Sequence, residues 1–140
     1  MPIEYPKVYL YKRIVHAKLF IDNNFSNHID LDNIAGEAYF SKFHFIRLFK
    51  KCYGKTPHQY LIYVRMQRAI KLLQEGNAVC EVCQTVGFES VSSFSGLFKR
   101  NFGCSPSEYL LQHREMEAQV IETPLNYVPS CFVFQHGWAE

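Results

Sequence analysis

An all-α fold follows from three observations. Apolar residues recur at spacings of three and four along most of the chain, helix start and stop signals punctuate it, and one helical pattern occurs twice. Phe45, Leu48, Phe49, Lys50, Gly54, Pro57, Tyr60 and Leu61 return 49 residues later as Phe94, Leu97, Phe98, Lys99, Gly103, Pro106, Tyr109 and Leu110. Two copies point to a pseudo-symmetric domain and away from a stacked solenoid. No strand pattern competes inside this region.

The elements follow in order. From about Lys7 to Asn24, Leu10, Ile14, Ala17, Ile21 and Phe25 line one face of a first helix. Asn27–Asp30 is a turn, and Leu31 to Tyr39 reads as a short second helix with Ile34, Ala35 and Ala38 inward. Ser41 is placed to cap a third helix, Lys42 to Tyr53, which Gly54 stops in a left-handed conformation. Thr56-Pro57-His58-Gln59 combines a capping box with Pro at the first helical position, opening a fourth helix to Leu73 or Gln74. The apolar residues of that helix cover more than one face, as in a helix packed between two sub-units. A fifth helix (78–86), a turn at Gly87-Phe88, a sixth helix (91–102) and a seventh from Pro106 to about Met116 complete the second copy, the last opened by Ser105-Pro106-Ser107-Glu108. The expected architecture is a seven-helix, bundle-like domain of two sub-units joined by a long central helix, with a short irregular tail.

The 140 residues carry a net charge of only +2, but its distribution is informative. Between Ala38 and Gln74 there is no Asp or Glu, against eight cations: Lys42, Arg47, Lys50, Lys51, Lys55, Arg65, Arg68 and Lys71. After Asn101 the balance reverses. A basic stretch inside a near-neutral protein suits a phosphate backbone, or else a solvated cationic helix face. Aromatic residues make up 16% of the chain, enough for a real core and against wholesale disorder. Five cysteines at irregular spacing fit free thiols in a reducing cytosol. No apolar run approaches the ~18 residues of a membrane helix. The N-terminus lacks a signal peptide's basic start and apolar centre, so a soluble intracellular protein is expected.

Each copy places a short helix, a tight turn and a longer helix in succession, the helix-turn-helix arrangement whose second helix enters the major groove. The first helix needs a small residue where the two cross, and Ala35 and Cys83 sit there. The turn favours positive φ, which Gly87 supplies in the second copy. Tyr39 stands there in the first, implying a turn of different shape.

With these residues the chain resembles the DNA-binding domain of the AraC/XylS family of bacterial transcription regulators. The match is carried by Ile34-Ala35, Phe40-Ser41, Arg47-Leu48-Phe49-Lys50, Gly54, Pro57 and Arg65 through Leu73. It continues in Val82, Val86-Gly87-Phe88, Phe94-Ser95, Leu97-Phe98-Lys99 and Gly103-x-x-Pro106-x-x-Tyr109. The resemblance implies a cytoplasmic, nucleoid-associated regulator that reads two adjacent major grooves of promoter DNA as a monomer and contacts RNA polymerase. It implies a domain over 8–114, with helix-turn-helix units at 31–53 and 78–102, a linker helix at 57–74 and a closing helix at 106–116. A linker of about 18 residues spans ~27 Å, which with the flanking units approaches the ~34 Å of one DNA turn.

In the first unit, Ser41, Lys42, Phe43, Ile46, Arg47, Lys50 and Lys51 are the candidate DNA-binding residues. Arg47 is suited to bidentate bonds with guanine, Phe43 and Ile46 to thymine methyls. Phe43 is equally suited to core packing. Lys50 and Lys51 fit phosphates. In the second unit the candidates are Ser90, as N-cap, with Val91, Ser92, Ser93, Gly96, Lys99 and Arg100. Gly96 stands where many members of the family carry a large polar residue, so this unit is expected to act through Lys99, Arg100 and DNA shape.

No enzyme, cofactor or metal site is expected. Cys80-x-x-Cys83 has no second pair at ligand spacing, and core packing is the expectation for both thiols. The competing class is a basic helical interaction module or accessory subunit without site-specific DNA binding. Only a few residues precede the first helix, so no effector-sensing pocket is expected. Residues 117–140, with Cys131, Phe132, Val133, Phe134 and Trp138, either fold back on the domain or form a partner or self-association surface.

Overall fold

Helical periodicity is realised as six helices among the described residues, which in the computed structural model are 4–30 and 42–123, with side chains from Val8 onward. They are α1 (Glu4–Asn24), α2 (Lys42–Tyr53), α3 (Pro57–Gln74), α4 (Val79–Thr85), α5 (Val91–Phe102) and α6 (Pro106–Glu122). The short helix expected at 31–39, with Ala35 and Tyr39, lies outside the described residues, as do Ser41 and the tail from Pro124. The other expected helices are present. Two boundaries move: α1 begins at Glu4, ahead of Lys7, and α6 continues past Met116 to Glu122. The residues there are good helix formers, and the first breaker is Pro124, which disfavours helical geometry at Thr123. Thr123 accordingly leaves the helix at φ −134°.

The chain divides into two units, Met1–Phe94 and Ser95–Glu140. In the first, α1 packs on α2 and α3. Ile14, Ala17 and Ile21 of α1 meet Phe45 and Phe49 of α2, Leu61 of α3 and Ile29 in a single buried cluster. Hence the predicted inner face of α1 is the one buried. Farther along α3, Met66, Ala69, Leu72 and Leu73 are also buried, which is why its apolar residues wrap more than one face. α4 packs on α3 and buries Val82 and Cys83. Cys83 is the small residue expected there, but Cys80, one turn earlier, is exposed. Core packing therefore holds for one thiol only: the buried stripe runs through Val82, Cys83 and Val86, and Cys80 falls beyond its edge. Burial, and secondarily Cys80, push the Cys83 thiol up, which keeps it protonated and inert.

The sequence repeat is also a repeat of geometry, seen within each unit separately. Phe49 meets Tyr60 edge-on at 5.8 Å and 65°; Phe98 meets Tyr109 at 5.8 Å and 68°. Phe49 and Phe98 also pack on the ring four residues on, at 4.9 Å to Tyr53 and 4.6 Å to Phe102. Gly54 and Gly103 stop their helices at φ 74° and 78°. Thr56 and Ser105 then form full capping boxes with Gln59 and Glu108, each hydroxyl accepting from the third backbone N–H at 3.2 Å.

A polar clasp closes the other end of the first unit. Arg65 Nε donates to the carbonyl of Phe25 at 2.7 Å, and Arg65 Nη2 to that of Asn27 at 3.1 Å. Its guanidinium lies 5.4 Å from the centre of the Phe88 ring. Burial lowers the Arg65 pKa from its ordinary value, but a guanidinium stays charged at neutral pH. Gly87, beside Phe88, is held at φ 96°, and a Cβ there would lie 2.8 Å from the carbonyl oxygen of Ser26. So the chain leaving α1 abuts the turn after α4, and only glycine fits. Gly87→Ala is expected to cost at least about 2 kcal/mol, since it combines left-handed strain with a backbone clash. Arg65→Met is expected to cost about 2–3 kcal/mol by leaving two carbonyls without their charged donor. Urea denaturation measures both, and wild-type midpoints would refute the clasp.

Tyr60 donates its hydroxyl to Asp22 Oδ1 at 2.6 Å, while Lys18 Nζ pairs with Asp22 Oδ2 at 2.9 Å. Burial, then the bond to Asp22, push the Tyr60 hydroxyl up to about 12 from 10.0. A folded-state value above the unfolded one means stability that is complete below pH 10 and lost as the pH climbs toward 12. Tyr60→Phe should flatten part of that alkaline decline. Lys18, Tyr53 and Cys83, all also raised, contribute to the remainder. Denaturation midpoints of the two proteins between pH 9 and about 12 test this, and parallel curves would sink it.

Candidate nucleic-acid interface

The second helices of the two repeats, α2 and α5, share one construction. Each buries two phenylalanines four residues apart, Phe45 with Phe49 and Phe94 with Phe98, all at 1% exposure or less. That spacing fixes one face inward and leaves the opposite face to solvent. On α2, Lys42, Phe43, Arg47, Lys50 and Lys51 are exposed. Phe43 is 74% exposed, so core packing does not explain it. Ile46 is different, being half-buried and packed against the core cluster. It supports Phe45 and Phe49 from the side and offers only part of its surface outward. Arg47 Nε donates to its own helix at the Phe43 carbonyl, 3.4 Å away, a long bond that restrains the side chain little.

On α5 the outward residues are Val91, Ser92, Ser93, Gly96, Lys99 and Arg100. Ser90 caps the helix as expected: its Oγ accepts from the backbone N–H of Ser93 at 3.2 Å and donates to Ser93 Oγ at 2.9 Å. Two of the four candidate hydroxyl and apolar readers, Ser90 and Ser93, are thus engaged with each other. Val91 is 45% exposed and Ser92 is exposed. Gly96 occupies the repeat position of Arg47. A Cβ there would meet nothing within 4 Å and its φ is ordinary, so neither backbone nor packing demands glycine.

The basic stretch is not all surface. Of its cations, Arg65 is spent on the internal clasp, whereas Lys50, Lys51, Arg68 and Lys71 are exposed. Lys55 lies half-buried, 4.8 Å over the Tyr63 ring. Sequence reasoning missed the role of Arg65, and its only signal was an arginine among the apolar residues of α3. Among the described residues no group of His, Cys, Asp and Glu side chains converges as a metal site would, and no helix is long and apolar enough to cross a membrane.

Comparison with known proteins agrees with this geometry. Residues 34–112 match the model of a helix-turn-helix domain family. The chain is 35% identical over 97 residues to the lactose operon transcription activator of Staphylococcus xylosus, covering 69% of this chain and 35% of that protein. It spans about a third of the length of such curated relatives. The transcriptional activator AarP of Providencia stuartii is 35% identical over 94 residues, 66% of this chain and 70% of that one. Among solved structures, an AraC-type regulator from Chromobacterium violaceum superposes with a TM-score of 0.64 at 27% identity, over 74% of this chain and 93% of its own. The DNA-binding domain of the global transcriptional factor AdpA, solved with a target DNA, gives 0.65 at 28% identity over 79% and 96%. Family and fold are those of DNA-binding regulators and not of enzymes: the chain belongs to the AraC/XylS family of helix-turn-helix transcription regulators.

Proposed function

We propose that this chain binds double-stranded promoter DNA at specific sites and regulates transcription, with residues 8–114 as the DNA-reading domain. The observation that carries the proposal is the exposed aromatic–cation face of α2, built on a helix whose other face is locked by Phe45 and Phe49. A 74% exposed phenylalanine beside an arginine is costly in water and useful against thymine methyls and guanine. In this reading α2 and α5 occupy successive major grooves, and one chain suffices for both. Lys50, Lys51, Lys99 and Arg100 hold phosphates and set register. The α5 face, with Gly96 and two mutually bonded serines, supplies affinity and shape recognition with little base readout. Specificity then rests on Phe43 and Arg47. Residence at the nucleoid and contact with RNA polymerase complete the proposal, and residues 117–140 are an extension outside the reading domain.

Selection of binding sites from a random duplex library tests it. The wild type is expected to enrich one well-defined half-site and one degenerate half-site about a helical turn away. Arg47→Ala should lower affinity for the selected site by about 5- to 150-fold and relax the preference at one position, as loss of a bidentate contact does. Lys50→Ala should weaken binding to all sequences alike and reduce the salt slope by about one. Gly96→Arg should fold normally and sharpen the degenerate half-site. No enrichment by the wild type would overturn the reading in favour of an interaction module.

A further inference from the structure

Two helices present apolar surface that the described residues do not cover, and their charges are opposite. α1 buries Ile14, Ala17 and Ile21, yet Val8, Val15 and Leu19 on its other face are 61%, 45% and 49% exposed. Lys12 falls among them, since positions 8, 12, 15 and 19 stack along one side of a helix. α6 runs on beyond its half-buried Tyr109 and His113, and the same face continues as Met116 and Val120, with Ile121 beside them, all exposed. Glu117 lies in the middle of that second patch, 3.7 Å from His113 Nδ1. An apolar strip centred on a lysine and an apolar strip centred on a glutamate are complementary. Self-pairing of the α1 strip would set lysine against lysine or against valine. Self-pairing of the α6 strip would bring glutamates together.

We infer that the α1 strip of one copy docks on the α6 strip of a second copy. The occupant of each surface is this same chain, joined head to tail. The contact joins unlike strips, so a copy docked through its α1 strip still offers its α6 strip, and the reverse. Each strip carries only three exposed apolar side chains, far fewer residues than a stable interface uses on a side, so the contact is weak in free solution. It acts where another force already sets copies side by side, as on neighbouring duplex sites, where the effective concentration is high. The inference does not rest on the DNA reading, and its test uses no DNA.

Sedimentation velocity of the full chain from low to several hundred micromolar is the measurement. The wild type is expected to show an average mass that rises with concentration above that of one chain. Val15→Glu/Leu19→Glu and Val120→Glu/Ile121→Glu alter exposed positions only, so wild-type circular dichroism and melting are expected of both. Each should be monomeric alone, and an equimolar mixture should form a species of two chains, since each supplies the strip the other lacks. Lys12→Glu and Glu117→Lys should each weaken association, and the double exchange should restore it. A wild type that stays monomeric throughout overturns the inference. So does self-association by the Val120→Glu/Ile121→Glu protein, which would mean that α1 pairs with α1.

Discussion

The first unit depends on one side chain that the pattern of apolar residues does not reveal. Arg65 leaves the linker helix and ties the chain just past α1, at Phe25 and Asn27, to the turn that carries Phe88. Carbonyls beyond a helix end have no intrahelical partner, and a guanidinium has enough donors in a fixed fork to take two of them at once. Because the same ends press Ser26 against Gly87, the clasp also fixes the backbone that turns α4 toward α5. A neutral side chain of similar size fills the volume but leaves the carbonyls without a donor.

Around that clasp the two repeats solve one packing problem twice. Phe49 and Phe98 each meet a tyrosine from the following helix at the same distance and nearly the same angle. The glycine stops and capping boxes agree to within a few degrees and tenths of an ångström. What differs is the outward face. Where α2 carries Phe43 and Arg47, α5 carries Ser92 and Gly96. Core positions are held by their neighbours, since a change of even one methylene is felt in a close-packed interior. Outward positions answer only to what they touch, and they have diverged. A duplicated domain can thus keep two equal scaffolds and unequal recognition surfaces.

The limits of the sequence are physical. The helices from Lys42 to Phe102 were legible almost to the residue, because Gly54, Thr56-Pro57 and Gly103 mark their ends with geometry that few residues satisfy. The positive φ of Gly87 was legible too, but not its steric partner, because the contact with Ser26 joins segments about 60 residues apart. The end of α6 was misplaced although Pro124 marks it, because the apolar repeat stops before the helix does. Phe43 could not be assigned from its type, because an aromatic residue at a helix start suits core and groove equally. The burial of Phe45 and Phe49 leaves it outside the core. Likewise Cys80 and Cys83 look alike in sequence, and only the packing of α4 separates them.

The partners of Arg65 are neutral: two carbonyl oxygens and a ring. Electrolyte screens exposed charges from one another far more than it disturbs a short, half-buried hydrogen bond. Cation–phosphate contacts weaken steeply as ions accumulate, while this internal closure is largely indifferent to them. On the proposed reading, a rise in salt would release the protein from DNA without unfolding it, and a fall would let the same molecules bind again with no refolding.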